Sequence, residues 1–203
     1  IFVGSFSDAN GDGFGDLRGI INRLDYLNDG DINSGKSLGV QGIWLSPIFS
    51  SPSYHKYDAS DYYKLDWRFG EEKDLKELVD LCHERNVKLI LDLAINHTSS
   101  KHEWFVQFKE ARMNGDTANE YYDYYTCVTT AEKAGGVQYQ KIAGVDAWYE
   151  CNFSGDMPEL NFDNPKVREA VLDVAKHYLN LGVDGFRFDA VKYIYFGDTE
   201  KSV

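Results

Sequence analysis

The sequence predicts an α/β fold, a parallel sheet wound with helical crossovers, and three observations predict it. Short β-branched or apolar runs alternate with segments of helical period along the 203 residues. Three of the four strand candidates carry polar residues at their carboxyl ends, where reactive groups collect in a parallel α/β barrel. Hydrophobic content of 43% against 27% charged supplies a core and sets disorder aside.

The strands are expected at Ile1–Phe6, Gln41–Leu45, Val87–Leu93 and Val183–Phe188. Between the first two, Leu17, Ile20, Ile21, Leu24 and Leu27 repeat on one face and predict a helix over Leu17–Leu27. The residues after it, Asp29–Leu38, are rich in Gly, Asn and Ser and read as a surface excursion. Glu71–Asn86 repeats the helical pattern through Leu75, Leu78, Val79 and Cys82, with acids in the first turn where the helix dipole favours them. Asn164-Pro165 starts a further helix, with Asn as the cap and Pro at the first helical position, and Gly182 ends it. One stretch, Ser99–Asn161, has no clean period and is too long for an ordinary loop. Its many Tyr and Trp side chains need burial, so it reads as a small inserted domain.

Composition excludes several functions. With 21 Lys+Arg against 33 Asp+Glu the net charge is −12, which argues against binding a phosphate backbone, so nucleic acid is not an expected partner. No apolar run reaches membrane-spanning length, and IFVGSF at the start reads as a strand, so any targeting segment is expected upstream of Ile1. Three cysteines are too few for a disulfide scaffold. Cys82 falls on the apolar side of its helix, and whether Cys127 and Cys151 pair stays open. The aromatic content, 15%, suits sugar rings as well as a core.

Two groups of residues carry chemistry. In Asp8-Ala-Asn10-Gly-Asp12-Gly-Phe14-Gly-Asp16, oxygen side chains alternate along a Gly-rich loop, the spacing with which a calcium loop begins. The twelfth position is Gly19 and not a bidentate Glu, so this is a divalent-ion loop after a strand and not an EF-hand; the competing reading is an acidic turn with no metal. At the sheet's carboxyl end, Arg187 and Asp189 sit two apart and share a face, which lets the guanidinium hold the carboxylate ionised for attack or electrostatic stabilisation. A structural Arg–Asp pair is the alternative. Asp92 interrupts the apolar run Leu89–Ala94 and needs a buried partner, for which Arg187 is the obvious cation. Asn96 and His97 follow at the rim, and Ser53-Tyr54-His55-Lys56-Tyr57-Asp58 after the second strand is placed to overhang the same pocket.

Together these residues resemble the α-amylase family of glycoside hydrolases, and the resemblance covers essentially the whole chain. It is carried by DLAINH (Asp92 to His97), GFRFDAVKYI (Gly185 to Ile194), GIWLSPI (Gly42 to Ile48) and MPELN (Met157 to Asn161), in the family's order. It implies a TIM-type (β/α)8 barrel, of which this chain carries strands 1–4, with a domain B inserted after strand 3. Residues 1–98 are then barrel strands 1–3, 99–161 domain B, and 162–203 helix 3, strand 4 and the following connection. It implies that Asp189 is the nucleophile of a retaining α-glucan hydrolase and that Arg187 orients and ionises it. His97, His55 and Asp58 would contact hydroxyls of the sugar being cleaved, and Tyr57 would stack on its ring. Asp92 would give structural support. The side chains of Asp8, Asn10, Asp12 and Asp16 and the carbonyl of Phe14 would hold a structural calcium. Lys56 stands where Gly is usual in the family, and Glu159 where Asp is usual.

A retaining glycosidase needs two carboxyls about 5 Å apart, and the family's general acid is a Glu at the end of strand five. No Glu of this chain stands at such a strand end, so the expectation is part of a longer enzyme, inactive by itself, whose partners are an α-glucan or malto-oligosaccharide and the second half of the barrel. With 99–161 set aside, the remainder is about half of the roughly 250 residues a closed barrel takes. The other readings are an α-glucosidase or oligo-1,6-glucosidase, or a non-catalytic binding or assembly module like the transporter heavy chains of the family. An extracellular or cell-surface location is expected.

Overall fold

The computed structural model describes residues 1–195. In chain order the elements are α1 (Val3–Phe6), α2 (Leu17–Ile21), α3 (Leu24–Leu27), β1 (Gly42–Leu45), β2 (Phe49–Ser50), β3 (Asp61–Leu65), α4 (Glu72–Glu84) and β4 (Lys88–Ala94). They continue with α5 (Glu103–Asn114), β5 (Cys127–Val128), β6 (Tyr139–Lys141), β7 (Trp148–Glu150), α6 (Pro165–Asn180) and β8 (Gly185–Asp189). By contacts the chain divides into two compact units. One holds Ile1–Ser50, Tyr62–Leu93 and Val174–Arg187; the other holds Ser51–Asp61, Ala94–Asp173 and the residues from Phe188 on.

In the first unit β1, β4 and β8 form a sheet in that order, with β1 and β4 parallel in the register Gly42↔Lys88 to Leu45↔Leu91. Three of the expected strands are therefore present. The expectation of a strand over Ile1–Phe6 is corrected, because Val3–Phe6 makes one helical turn. The N-terminal ammonium donates to the Trp44 carbonyl at 2.6 Å and the Ser46 amide to the Ile1 carbonyl at 2.8 Å, so only the first residues run beside β1. The chain then turns so that the Gly15 amide reaches the Gly4 carbonyl at 2.8 Å. The single helix expected over Leu17–Leu27 is two short ones, broken at Asn22 and Arg23.

The crossover helix α4 forms as its sequence dictates. A reciprocal cap joins Glu71 to Asp74, and Leu75, Leu78, Val79 and Cys82 form the buried stripe. Helix α2 packs on it and ties to it through Arg18, which bridges Asp74 at 3.0 Å and Glu77 at 2.6 Å. Gly19 permits the approach of α2 to the preceding segment, since a Cβ there would lie 1.9 Å from the Ser7 carbonyl oxygen. At the start of α6 the Asn164 side chain accepts from the Lys166 amide at 2.9 Å, and Gly182 follows the helix at φ +101°.

The second unit answers the need of the 99–161 aromatics for burial. Phe105 and Phe108 of α5 pack with Tyr124, Tyr125, Tyr149 and Leu160. Phe105 meets the rings of Tyr125 and Tyr149 edge-on, at centroid distances of 5.0 and 4.9 Å. Strand β7 lies between β5 and β6, antiparallel to both. Helix α5 and this small sheet went unseen in the sequence, where neither showed a period. Cys82, Cys127 and Cys151 are free thiols, so Cys127 and Cys151 do not pair.

Candidate active site

Strand β4 carries Asp92, buried to 1% exposure among leucines. A carboxylate there needs partners, and the first unit supplies two. Arg187 Nη1 lies 3.2 and 3.3 Å from the carboxylate oxygens, and Trp44 Nε1 donates to Oδ2 at 3.1 Å. The guanidinium also sits 5.3 Å from the Trp44 ring centroid. The cation expected for Asp92 is therefore in place, charge-assisted and oriented from two strands.

The same unit holds the acidic loop. Its side chains close on the loop's own amides: Asp8 accepts from Gly11 at 2.6 Å and Gly13 at 2.9 Å, Asn10 from Asp12 at 2.9 Å, and Asp12 from Phe14 at 2.8 Å. Asp16 caps α2 by accepting from Gly19 at 2.6 Å and also accepts from Ala9 at 3.1 Å. Bonds from the Gly13 and Gly11 amides hold the Asp8 carboxyl below its ordinary range. The donor set is all oxygen and its carboxylates keep further lone pairs, so by donor chemistry it fits a hard divalent cation such as calcium. Among the described residues no three His, Cys, Asp or Glu side chains form a ready-made metal group.

In the second unit the chain leaving β4 continues through Asn96 and His97, both 1% exposed. His97 pairs in an antiparallel bridge with Glu159, and the Leu160 amide donates to the Asn96 carbonyl at 2.8 Å, so the MPELN segment lies along this turn. Burial pushes the His97 pKa down to about 4, against the opposing pull of Asp189, a hydrogen bond to the Tyr57 backbone, and Asp58. The imidazole is thus neutral at neutral pH, and the carboxylates of Asp189 and Asp58 both act on it.

The loop of His55, Tyr57 and Asp58 belongs to this unit as well. Asp58 is buried to 4% and accepts from the Ser51 hydroxyl at 2.7 Å and from the Ser53 hydroxyl. His55 stacks on Tyr57 with centroids 5.9 Å apart, and its Nδ1 accepts from the Tyr57 amide at 3.1 Å. Of the residues singled out in sequence, Asp92, Arg187 and the acidic loop therefore fall in one unit, and His55, Tyr57, Asp58, His97 and Asp189 in the other.

Sequence reasoning missed a buried carboxyl pair in the second unit. Asn152 bridges it, donating through Nδ2 to Glu150 at 2.5 Å and to Glu159 at 2.9 Å, and through its backbone to Glu159 at 3.0 Å. Burial and the neighbouring Glu150 push the Glu159 pKa up to about 7, and burial raises that of Glu150. The available signal was Glu150 within the run Trp148–Cys151, where both it and Tyr149 are buried.

The family profile for the alpha amylase catalytic domain matches residues 1–202. "Alpha-amylase 3" of Dictyoglomus thermophilum is 45% identical over 98% of this chain, which spans 37% of that protein. The oligo-1,6-glucosidase of Bacillus cereus is 43% identical over 96% of the chain, which spans 34% of that protein. Among solved structures, the α-amylase from H. orenii superposes with a TM-score of 0.84 at 43% identity, covering 98% of this chain and 41% of its own. The chain thus spans well under half the length of these relatives.

Proposed function

Because the chain belongs to the α-amylase family, we propose that the protein carrying it is a retaining α-glucan hydrolase that cleaves α-1,4-glucosidic bonds with Asp189 as nucleophile. The observation that carries the proposal is the grouping of Asp189, His97 and Asp58, with a neutral buried imidazole on which both carboxylates act. Such an imidazole offers hydrogen bonds to sugar hydroxyls without competing as a cation for either carboxylate.

The reaction runs in two displacements. The Asp189 carboxylate forms a bond to the anomeric carbon as the glycosidic C–O bond breaks, and a second carboxyl group protonates the departing oxygen. That group, now a carboxylate, takes a proton from water as the water displaces Asp189 from the glycosyl-enzyme. Through the transition state His97, His55 and Asp58 hold the hydroxyls, and the Tyr57 ring stacks on the sugar. Arg187 and Asp92 fix the strand that delivers the nucleophile, since Arg187 stands two residues before Asp189 on β8 and is tied to β4 through Asp92.

Asp8, Asn10, Asp12, Asp16 and the Phe14 carbonyl hold a structural calcium in this reading, supported by their donor chemistry. The ion serves the fold and no step of the reaction.

The test uses the longer protein that contains these residues. Asp189→Asn keeps the shape and removes the nucleophile, so turnover of p-nitrophenyl α-maltoside drops by at least about 1,000-fold with the circular dichroism spectrum unchanged. Full turnover by that variant overturns the proposal. Comparing maltotriose with isomaltose decides the linkage, and faster cleavage of isomaltose replaces the α-1,4 assignment with α-1,6.

A further inference from the structure

Lys56 combines two features that seldom occur together. Its backbone lies at φ +67°, in the left-handed region that a glycine occupies without strain. Its side chain is nevertheless buried, at 3% residue exposure, although lysine ammonium groups normally stay in water. A strained backbone persists where its surroundings over-determine it. Here the ammonium supplies part of that determination, donating to the Ser53 carbonyl at 2.9 Å and the Ser51 carbonyl at 3.4 Å.

Those two carbonyls belong to the residues that hold Asp58. The hydroxyls of Ser51 and Ser53 both donate to Asp58 Oδ1, and the two lie 3.3 Å apart. The Ser53 hydroxyl also accepts from the Lys56 amide at 3.2 Å and lies 3.3 Å from His55 Nδ1. The lysine therefore reaches the loop from both ends of its own length, its amide on the Ser53 side chain and its ammonium on the Ser51 and Ser53 backbone. The residues on either side, His55 and Tyr57, stack on each other at 5.9 Å. The left-handed residue Lys56 stands between them.

We propose that Lys56 is a positioning residue of the hydrolase: its buried ammonium clamps the Ser51 and Ser53 carbonyls so that the serine hydroxyls fix Asp58 and its left-handed backbone holds the His55–Tyr57 stack in the pose that meets the reacting sugar. The inference rests on the hydrolase reading above and adds to it a group that does not touch substrate. A glycine at this position would relax the backbone and give up the clamp. The lysine accepts backbone strain in exchange for a rigid loop, and a rigid loop holds its groups for the transition state without reordering at the moment of reaction.

The experiment compares Lys56→Gly, Lys56→Met and Lys56→Arg in the longer protein. Glycine relieves the backbone and methionine keeps the apolar stem, so both leave the melting temperature within about 4 °C of wild type. Both lower kcat/KM for p-nitrophenyl α-glucoside about tenfold or more, with the loss in kcat, because the loop meets the ring whose bond is breaking. Lys56→Arg, which keeps a cation over the same carbonyls, restores most of the kcat. Glycine and methionine variants within twofold of wild type overturn the inference, and so does loss of activity only in step with loss of the folded spectrum. The hydrolase reading fails separately: an inactive wild type, or an active Asp189→Asn, overturns both, whereas an active wild type with a dead Asp189→Asn and unaffected Lys56 variants overturns this inference alone.

Discussion

Two buried carboxylate sites in this chain meet the cost of burial in opposite ways. Asp92 is met by donors, the Arg187 guanidinium and the Trp44 indole. Glu159 faces another acid, Glu150, across the Asn152 amide, with the Asn96 amide, the Cys151 thiol and the Tyr139 phenol nearby. No cation is among these neighbours, and the pair therefore holds a proton that an exposed glutamate would give up. The sign follows from linkage. A carboxyl with its pKa raised from 4.5 to about 7 in the folded state costs nothing below the lower value, and its stability contribution is lost as the pH rises through the upper one. Glu159→Gln stays neutral at every pH. Its melting temperature minus that of wild type is thus expected near zero at about pH 5 and increasingly positive toward about pH 8. Thermal melts across that range check it, and a difference that does not change with pH rules the shared proton out.

At the scale of elements, legibility in the sequence followed the length of the periodic signal. Helix α4, with a capping pair and four buried positions, and strands β1, β4 and β8 with their apolar runs, read correctly. The segment Ile1–Phe6 did not, because its apolar residues suit a strand while its conformation is set by distant partners, Trp44, Ser46 and Gly15. Helix α5 was hidden because apolar and polar residues are spread around it, and what buries Phe105 and Phe108 comes from the far side of the insertion. In the candidate site, Asp92 and Arg187 were legible as a charge in an apolar run and a cation one strand away. Glu150 and the clamp made by Lys56 were not, since both depend on how a loop closes on itself. The acidic loop is an element whose folding carries a prediction of its own. Its oxygen side chains accept from the loop's own amides and keep further lone pairs, so a cation that bound them would stabilise the folded loop by mass action, about 2.7 kcal/mol at a hundredfold excess over its Kd. Chelation with EDTA is expected to lower the melting temperature, calcium to restore it, and Asp12→Ala to abolish the response. A wild type indifferent to EDTA and calcium removes the ion from the description.

At the scale of the whole molecule, charge and exposed apolar surface oppose each other. Parallel sheets normally have both faces covered. In the described residues of the first unit, however, Trp44 on β1 is 44% exposed, and in the second Phe188 at the end of β8 is 46% exposed. Strands β1 and β8 are the outer members of their sheet's order, with Ile1 meeting β1 at the Trp44 carbonyl. Large apolar side chains on sheet edges draw copies together, while a net charge of −12 holds them apart. Only the repulsion is screened by salt, with a Debye length falling from about 30 Å at 0.01 M to about 8 Å at 0.15 M. The 203-residue chain expressed by itself is therefore expected to self-associate, and to do so more as salt is added. Light scattering on a size-exclusion column gives the mass directly. A mass that stays at 23.1 kDa from low to high salt would mean that the edges of β1 and β8 are closed to other chains, whereas a mass above it that grows with salt identifies the apolar edges as the attractive surface.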